Sequence, residues 1–287
     1  MLLALRPAVA RAQDSLSGPL VVVSAGSLRA PLADVLALFV QRHPRVVPHQ
    51  ASGGSVEVIR RSRDSVPDVL GSADYALIPA FLIPRYATSY VKIGRNSMVL
   101  VYGERSRYAG EVNAQNWPDV LLRRDVRTRR ADPALDPGAY RVVLMYRLAE
   151  RFFKRPGLAA RLEAAAPIWM PKPGDDVYAQ LAGGEFDYLW SYKSQAVTRG
   201  LRFVELPPEL NLGDSTLTGW YASASLKIPR ELGSRGGDSI EIHGEPIQYG
   251  VTIPTAAPHR RVAEAFVALL LSDEGKAVFR RHGFVVP

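Results

Sequence analysis

The segment Pro19-Leu20-Val21-Val22-Val23-Ser24-Ala25-Gly26-Ser27-Leu28 constrains the fold more than any other stretch of the chain. A β-branched apolar run, the composition of a buried strand, ends in a Ser/Gly turn that opens an amphipathic helix over about 28–42. The first turn of a helix leaves backbone N–H groups without intrahelical partners and carries a dipole end of about +0.5 charge. Such a turn can hold an anion. A second one, Ser52-Gly53-Gly54-Ser55-Val56, follows an extended segment at 46–50 and opens a helix over about 55–63. Singly, each reads as well as a plain helix cap. Together, after strand-like segments in one α/β chain, they imply a grip on a small oxyanion, with hydroxyls from Ser27 and Ser55.

The chain has 287 residues, 47% of them hydrophobic, enough for one large domain or two lobes with a sizeable core. It has no cysteine, which excludes disulfides, thiolate metal sites, cysteine nucleophiles and a lipidated N-terminal cysteine. A net charge of +8 favours anionic partners by steering and fits equally a solvated, arginine-rich surface. The densest basic run, Arg123-Arg124-Asp125-Val126-Arg127-Thr128-Arg129-Arg130, lacks interleaved aromatics and any nucleic-acid-binding motif around it. Nucleic acid is not an expected partner. Residues 1–18 read as a leader or truncated signal segment, with Ala10-Arg11-Ala12 resembling a small-x-small cleavage site. No later stretch reaches the roughly 20 apolar residues of a membrane span.

Further strands are expected at 66–70, 97–102, 187–192, 203–206 and 247–253. Helices are expected over about 138–154, 175–182 and 260–281, and an exposed hairpin over 233–244. The alternation of short strands and helices predicts parallel βαβ units. Two lobes follow: residues 19–93 with 256–287, and residues 94–255, joined by crossings near 94 and 255. A ligand cleft is expected between them, at the carboxyl ends of strands.

No catalytic set is visible. Ser24-Ala25-Gly26-Ser27 is not a nucleophile elbow, and neither a phosphate loop nor a zinc-binding His-Glu-x-x-His is present. A hydrolase or transferase on the same scaffold is the rival class, and nothing in the sequence favours it. Asp136-Pro137-Gly138 opens the long middle helix, where Asp136 reads as a cap. A carboxylate beside an oxyanion makes sense only if it binds the central metal or keeps its proton. Tyr192 ends a strand and offers either a phenolic donor or an aromatic at the sheet rim.

Several blocks resemble the periplasmic or extracellular molybdate/tungstate-binding proteins of ABC transporters, in their archaeal-type branch. They are Ser24-Ala25-Gly26-Ser27-Leu28, Ser52-Gly53-Gly54-Ser55-Val56, Ser72-Ala73-Asp74-Tyr75, Asp136-Pro137-Gly138-Ala139-Tyr140-Arg141, Asp187-Tyr188 with Tyr192-Lys193-Ser194, and Pro246-Ile247-Gln248-Tyr249-Gly250-Val251-Thr252. The resemblance runs from about residue 19 to the C-terminus. It implies an α/β, two-lobed type II periplasmic-binding fold that closes over molybdate or tungstate, without a further cofactor and without enzymatic activity. A membrane permease is the implied partner, the periplasm or cell exterior the implied location, and a monomer the implied form. The family's serines fall on Ser27 and Ser55, its Asp on Asp136, where it reaches the Mo or W atom, and its Tyr on Tyr192. The family's Glu falls on Gly174, within Pro171-Lys172-Pro173-Gly174-Asp175-Asp176, and Asp175 is the nearest substitute. The missing Glu leaves a different, sulfate-like anion as the alternative ligand.

Overall fold

The computed structural model describes residues 16–170, 172, 175–229 and 238–286. In chain order the elements are β1 (Gly18–Ala25), α1 (Arg29–Arg42), β2 (Val46–Gly53), α2 (Ser55–Arg61), β3 (Val69–Ser72), α3 (Leu77–Phe81), β4 (Val91–Arg95) and β5 (Met98–Tyr102). There follow α4 (Trp117–Leu121), β6 (Thr128–Arg129), α5 (Pro137–Phe152), α6 (Leu158–Ala165), α7 (Val177–Gly183), β7 (Tyr188–Tyr192), α8 (Lys193–Thr198) and β8 (Arg202–Glu205). The chain ends with α9 (Pro208–Asn211), α10 (Thr218–Tyr221), β9 (Ser225–Pro229), β10 (Ser239–His243), β11 (Gln248–Thr252), α11 (Arg260–Leu271) and α12 (Asp273–Arg281).

Two main sheets result. The first has the order β2-β1-β3-β11-β4 and the second β6-β7-β5-β8. Pairing is parallel for β1 with β2 and β3 and for β6 with β7, as βαβ units predict. It is antiparallel for β11 with β3 and β4 and for β5 with β7 and β8. The expectation of parallel units alone misses these pairs, all of which involve β5 or the late-arriving β11. Strand β1 lies inside the first sheet, between β2 and β3, with Leu20 and Val22 fully buried. Strand β2 lies at the edge, mostly exposed, where Pro48 is tolerated.

The chain crosses from the first sheet to the second at residues 96–97 and returns at 244–247, between β10 and β11. The expected return near 255 is therefore corrected. Strand β11 was assigned to residues 94–255 of the second lobe, yet it sits between β3 and β4 of the first sheet. The two crossings touch, because the Asn96 amide donates to the Ile247 carbonyl at 3.1 Å. Residues 16–18, expected within the 1–18 leader, belong to the fold instead. Gly18 begins β1, paired with Val46, and Leu16 packs on the core. Residues 1–15 and the first part of the expected 233–244 hairpin lie outside the described residues. The rest of that hairpin is seen in the antiparallel β9–β10 pair.

The expected helix 260–281 is two helices. Ser272 has extended backbone (ψ 166°) and caps α12 by accepting from the Gly275 amide. The pair packs on α1, with Phe39 and Phe266 in edge-to-face contact at 5.6 Å. Asp68 pins this return. Its buried carboxylate accepts from the amides of Val21 in β1 and of His259 at the head of α11, each at 2.7 Å. Asp68→Ala strands two part-buried donors at about 1–3 kcal/mol each. The variant is expected to lose roughly 2–5 kcal/mol in urea unfolding. A loss under about 0.5 kcal/mol would show that water replaces the carboxylate.

Candidate functional site

The parallel register of β1 and β2 brings the two Ser/Gly turns together. Ala25 pairs with Gly53, so the two strands end side by side, and each chain enters its helix at the same point. The turn that opens with Ala25 and the turn that opens with Gly54 carry no side-chain cap. Ser27 and Ser55 are therefore not the capping residues that each turn alone suggested. The Ser27 hydroxyl oxygen accepts from the Tyr249 phenol at 3.0 Å, and the Ser55 oxygen accepts from the Ala73 amide at 3.0 Å. Both serines are buried at the inner end of the turns.

The second lobe contributes from α5 and β7. Asp136 is the N-cap of α5, its Oδ1 accepting from the Gly138 amide at 2.5 Å. Its Oδ2 lies 3.8 Å from where a Cβ on Gly54 would sit. That Cβ would also stand 2.9 Å from the Leu135 carbonyl, so only glycine lets the two lobes approach here. Tyr192 ends β7, nearly buried, and its phenol oxygen accepts from Arg141 Nη1 at 2.7 Å.

These residues line one cleft of about 620 Å³ between the sheets. Ser27, Ser55, Asp136, Asp175 and Tyr192, all singled out in the sequence, lie on its wall. Asp175 is exposed there, and its Oδ2 accepts from the Lys172 amide at 2.7 Å. Position 174 lies outside the described residues. Asp176, also on the wall, caps α7 and pairs with Arg199 at 3.4 Å. Its carboxyl is held below the usual range: burial works against this, but the Tyr178 amide and the Arg199 charge outweigh it.

Sequence reasoning missed the cations. Arg29, Arg129, Arg130 and Arg199 also line the cleft. Two, Arg129 and Arg130, come from the basic run to which the sequence assigned no site. Others of that run turn to protein partners: Arg123 to Glu111 at 3.1 Å, and the Arg127 amide to Asp187 at 2.8 Å. Also missed was Arg141, one turn past the Asp136 cap. Its buried guanidinium donates to the Ala73 carbonyl at 2.8 Å and lies 3.3 Å from Asp74, joining the lobes. Its spacing of five from Asp136 was visible, but its partner 67 residues away was not.

Burial raises the Asp136 pKa above its ordinary 3.8, opposed by the amides of Gly138 and Ala139 and by Arg141. Burial likewise holds the Tyr192 phenol well above its ordinary value, against the pull of Arg141, so it stays a neutral donor at pH 7.

A family model of the bacterial extracellular solute-binding proteins matches residues 20–285. The chain belongs to this family. The solute-binding protein is 36% identical over 273 residues to a solute-binding protein of Petrotoga mobilis, covering 94% of this chain and 84% of that one. It is 31% identical over 292 residues to the molybdate/tungstate-binding protein WtpA of Pyrococcus abyssi, covering 92% and 83%. Its fold is that of the periplasmic molybdate-binding protein of Azotobacter vinelandii, with a TM-score of 0.65 at 17% identity over 93% of this chain and 99% of that one. The sulfate-binding protein SubI of Mycobacterium tuberculosis shares it too, at a TM-score of 0.63 and 15% identity, covering 94% and 86%. The two-lobed α/β architecture and the family expected from the sequence are thus found.

The raised pKa of Asp136 carries a sign for stability. A carboxyl titrating higher in the folded than in the unfolded chain costs stability above its folded pKa. That cost vanishes as pH falls below the unfolded value near 3.8. Asparagine keeps the cap on Gly138 without the charge. In the ligand-free solute-binding protein, Asp136→Asn is expected to raise the unfolding temperature at pH 7, with the gain shrinking toward pH 3.5. A gain independent of pH would remove the buried charge as its cause.

Proposed function

We propose that this solute-binding protein captures molybdate or tungstate in the interlobe cleft and delivers it to the membrane permease of an ABC transporter. The observation that carries the reading is the convergence of Ser27, Ser55, Asp136 and Tyr192, from four separate segments, on one cleft wall. The relative named for molybdate and tungstate supports the choice of ligand. Hydroxyls and helix N-termini replace the water that a dianion gives up, at about 1.5–3 kcal/mol for each hydrogen bond to charge. Asp136 would repel a dianion through its oxygens. It attracts one through the electron-poor metal at the centre, to which a carboxylate oxygen can add as a further ligand. Asp175 is a further carboxylate on the same wall, its neighbour Asp176 being engaged as the cap of α7, and takes the part of the glutamate missing at Gly174. Arginines around the cleft draw anions in.

The protein works in this reading as a monomer outside the cytoplasmic membrane, in the periplasm or at the cell exterior, and turns nothing over. Among the described residues no helix is long and apolar enough to cross a membrane. The family's description as extracellular is what the placement rests on.

Isothermal titration with tungstate, molybdate and sulfate at one pH tests the reading. Tight binding of tungstate and molybdate is expected. Ser55→Ala should weaken it about 10- to 100-fold, the worth of one hydrogen bond to charge. Asp136→Ala should abolish the heat, and Asp175→Ala should weaken binding less. Heat with sulfate alone would reassign the ligand to a sulfate-like anion, and silence with all three would overturn the reading.

A further inference from the structure

Three of the hydroxyls that line the cleft, those of Ser27, Ser55 and Tyr192, each have a donor behind them. Ser55 receives the Ala73 amide, Tyr192 receives Arg141, and Ser27 receives Tyr249. The first two donors cannot turn into acceptors. The third is a hydroxyl, so its sense needs an argument, and the chain behind it supplies one.

Asn96 stands in the first crossing between the lobes, almost fully buried. Its Oδ1 accepts from two backbone amides, Ser97 at 3.0 Å and Ser194 at 3.2 Å. Backbone N–H groups cannot be reversed, so this end of the side chain is its carbonyl. The other end is the NH2, which only donates. It faces the Ser194 hydroxyl at 2.7 Å and the Tyr249 phenol at 3.2 Å. Tyr249 therefore accepts from Asn96, and its single buried proton goes to the Ser27 oxygen, which leaves no donor of the phenol unspent. The Ser27 oxygen is then taken from behind, and its own proton is left for the cleft.

We propose that Asn96 and Tyr249 are positioning residues that fix the Ser27 hydroxyl as a donor to the bound anion. This rests on the proposed function. The relay runs from a backbone amide of the second lobe, at Ser194, through the crossing, to an anion donor of the first lobe. Ser55 owes its sense to the main chain. Ser27 owes its sense to side chains and can be reoriented by substitution. Without Tyr249's proton, the Ser27 hydroxyl is free to turn inward toward other acceptors, and the anion loses a pre-set donor.

A double-mutant cycle tests this, because residues acting through one another give non-additive effects. Tyr249→Phe removes only the hydroxyl and keeps the ring that packs on Tyr192 and Phe284 at 5.7 and 5.1 Å. Tungstate affinity is measured by titration for the wild type, Tyr249→Phe, Ser27→Ala and the pair, with unfolding midpoints for all four. Tyr249→Phe is expected to weaken binding about 5- to 20-fold, in the range of one hydrogen bond. In the Ser27→Ala background it should add less than about twofold. Asn96→Asp, which puts an acceptor where the NH2 faces Tyr249, is the second variant. Its effect should likewise be larger with Ser27 present than absent. An unchanged affinity for Tyr249→Phe, or effects that multiply in full, overturn the relay while leaving the functional reading in place. Binding of tungstate that ignores Ser27→Ala overturns the relay by removing its end point. A wild type that binds no oxyanion overturns the functional reading, and the relay with it.

Discussion

A buried guanidinium holds the two halves of this molecule to one another. Arg141 leaves water at a cost of several kilocalories per mole and recovers it only through good partners. It has three: the Ala73 carbonyl, the Asp74 carboxylate and the Tyr192 phenol. The first two belong to the loop after β3, the third to the end of β7. Tyr140 adds its own hydroxyl to the same Asp74 oxygen. With α5 pinned through consecutive residues, its rotation is set, and so is the direction in which its cap, Asp136, faces Gly54. Removing one member of such a buried pair costs about 3–5 kcal/mol in comparable proteins, because the other charge is left bare. The cleft walls therefore depend on a contact at the base of the cleft.

The distribution of charge follows the same division. Carboxylates at Asp68 and Asp187 are buried and serve backbone amides, tying distant segments. Arginines at the cleft are left partly solvated, where their field reaches outward. The excess positive charge of the sequence is thus not a uniform coat. Part of it is consumed by internal partners such as Glu111 and Asp187, and part faces the opening between the lobes.

What was legible in the sequence was local. The β1 run and its turn announce themselves through β-branched residues followed by Ser and Gly, and the Asp136-Pro137-Gly138 start of α5 through its cap chemistry. The candidate residues Ser27, Ser55, Asp136, Asp175 and Tyr192 share a cleft because each sits at an element end that local pattern could locate. What failed was non-local. Strand β4, Val91-Lys92-Ile93-Gly94-Arg95, is an edge strand with charged residues and a glycine, and so has no apolar signal. The break at Ser272 hides inside an unbroken helical pattern and is made by one hydroxyl cap. The placement of β11 depends on which gap in the first sheet it fills. The Asn96–Tyr249 contact joins residues 153 apart, and no local pattern pairs the two.

The position of β11 bears on the order in which the molecule can be made. It fills the slot between β3 and β4, and α11 and α12 then cover α1. The second lobe lies wholly between residues that must later meet in the first sheet, and its ends are joined by the Asn96–Ile247 hydrogen bond. During synthesis from the N-terminus, the middle of the chain can complete its sheet while the first sheet still has a vacant slot between β3 and β4. That sheet closes only when the last fifth of the polypeptide emerges. A chain built this way keeps its first sheet unfinished until almost all of it exists.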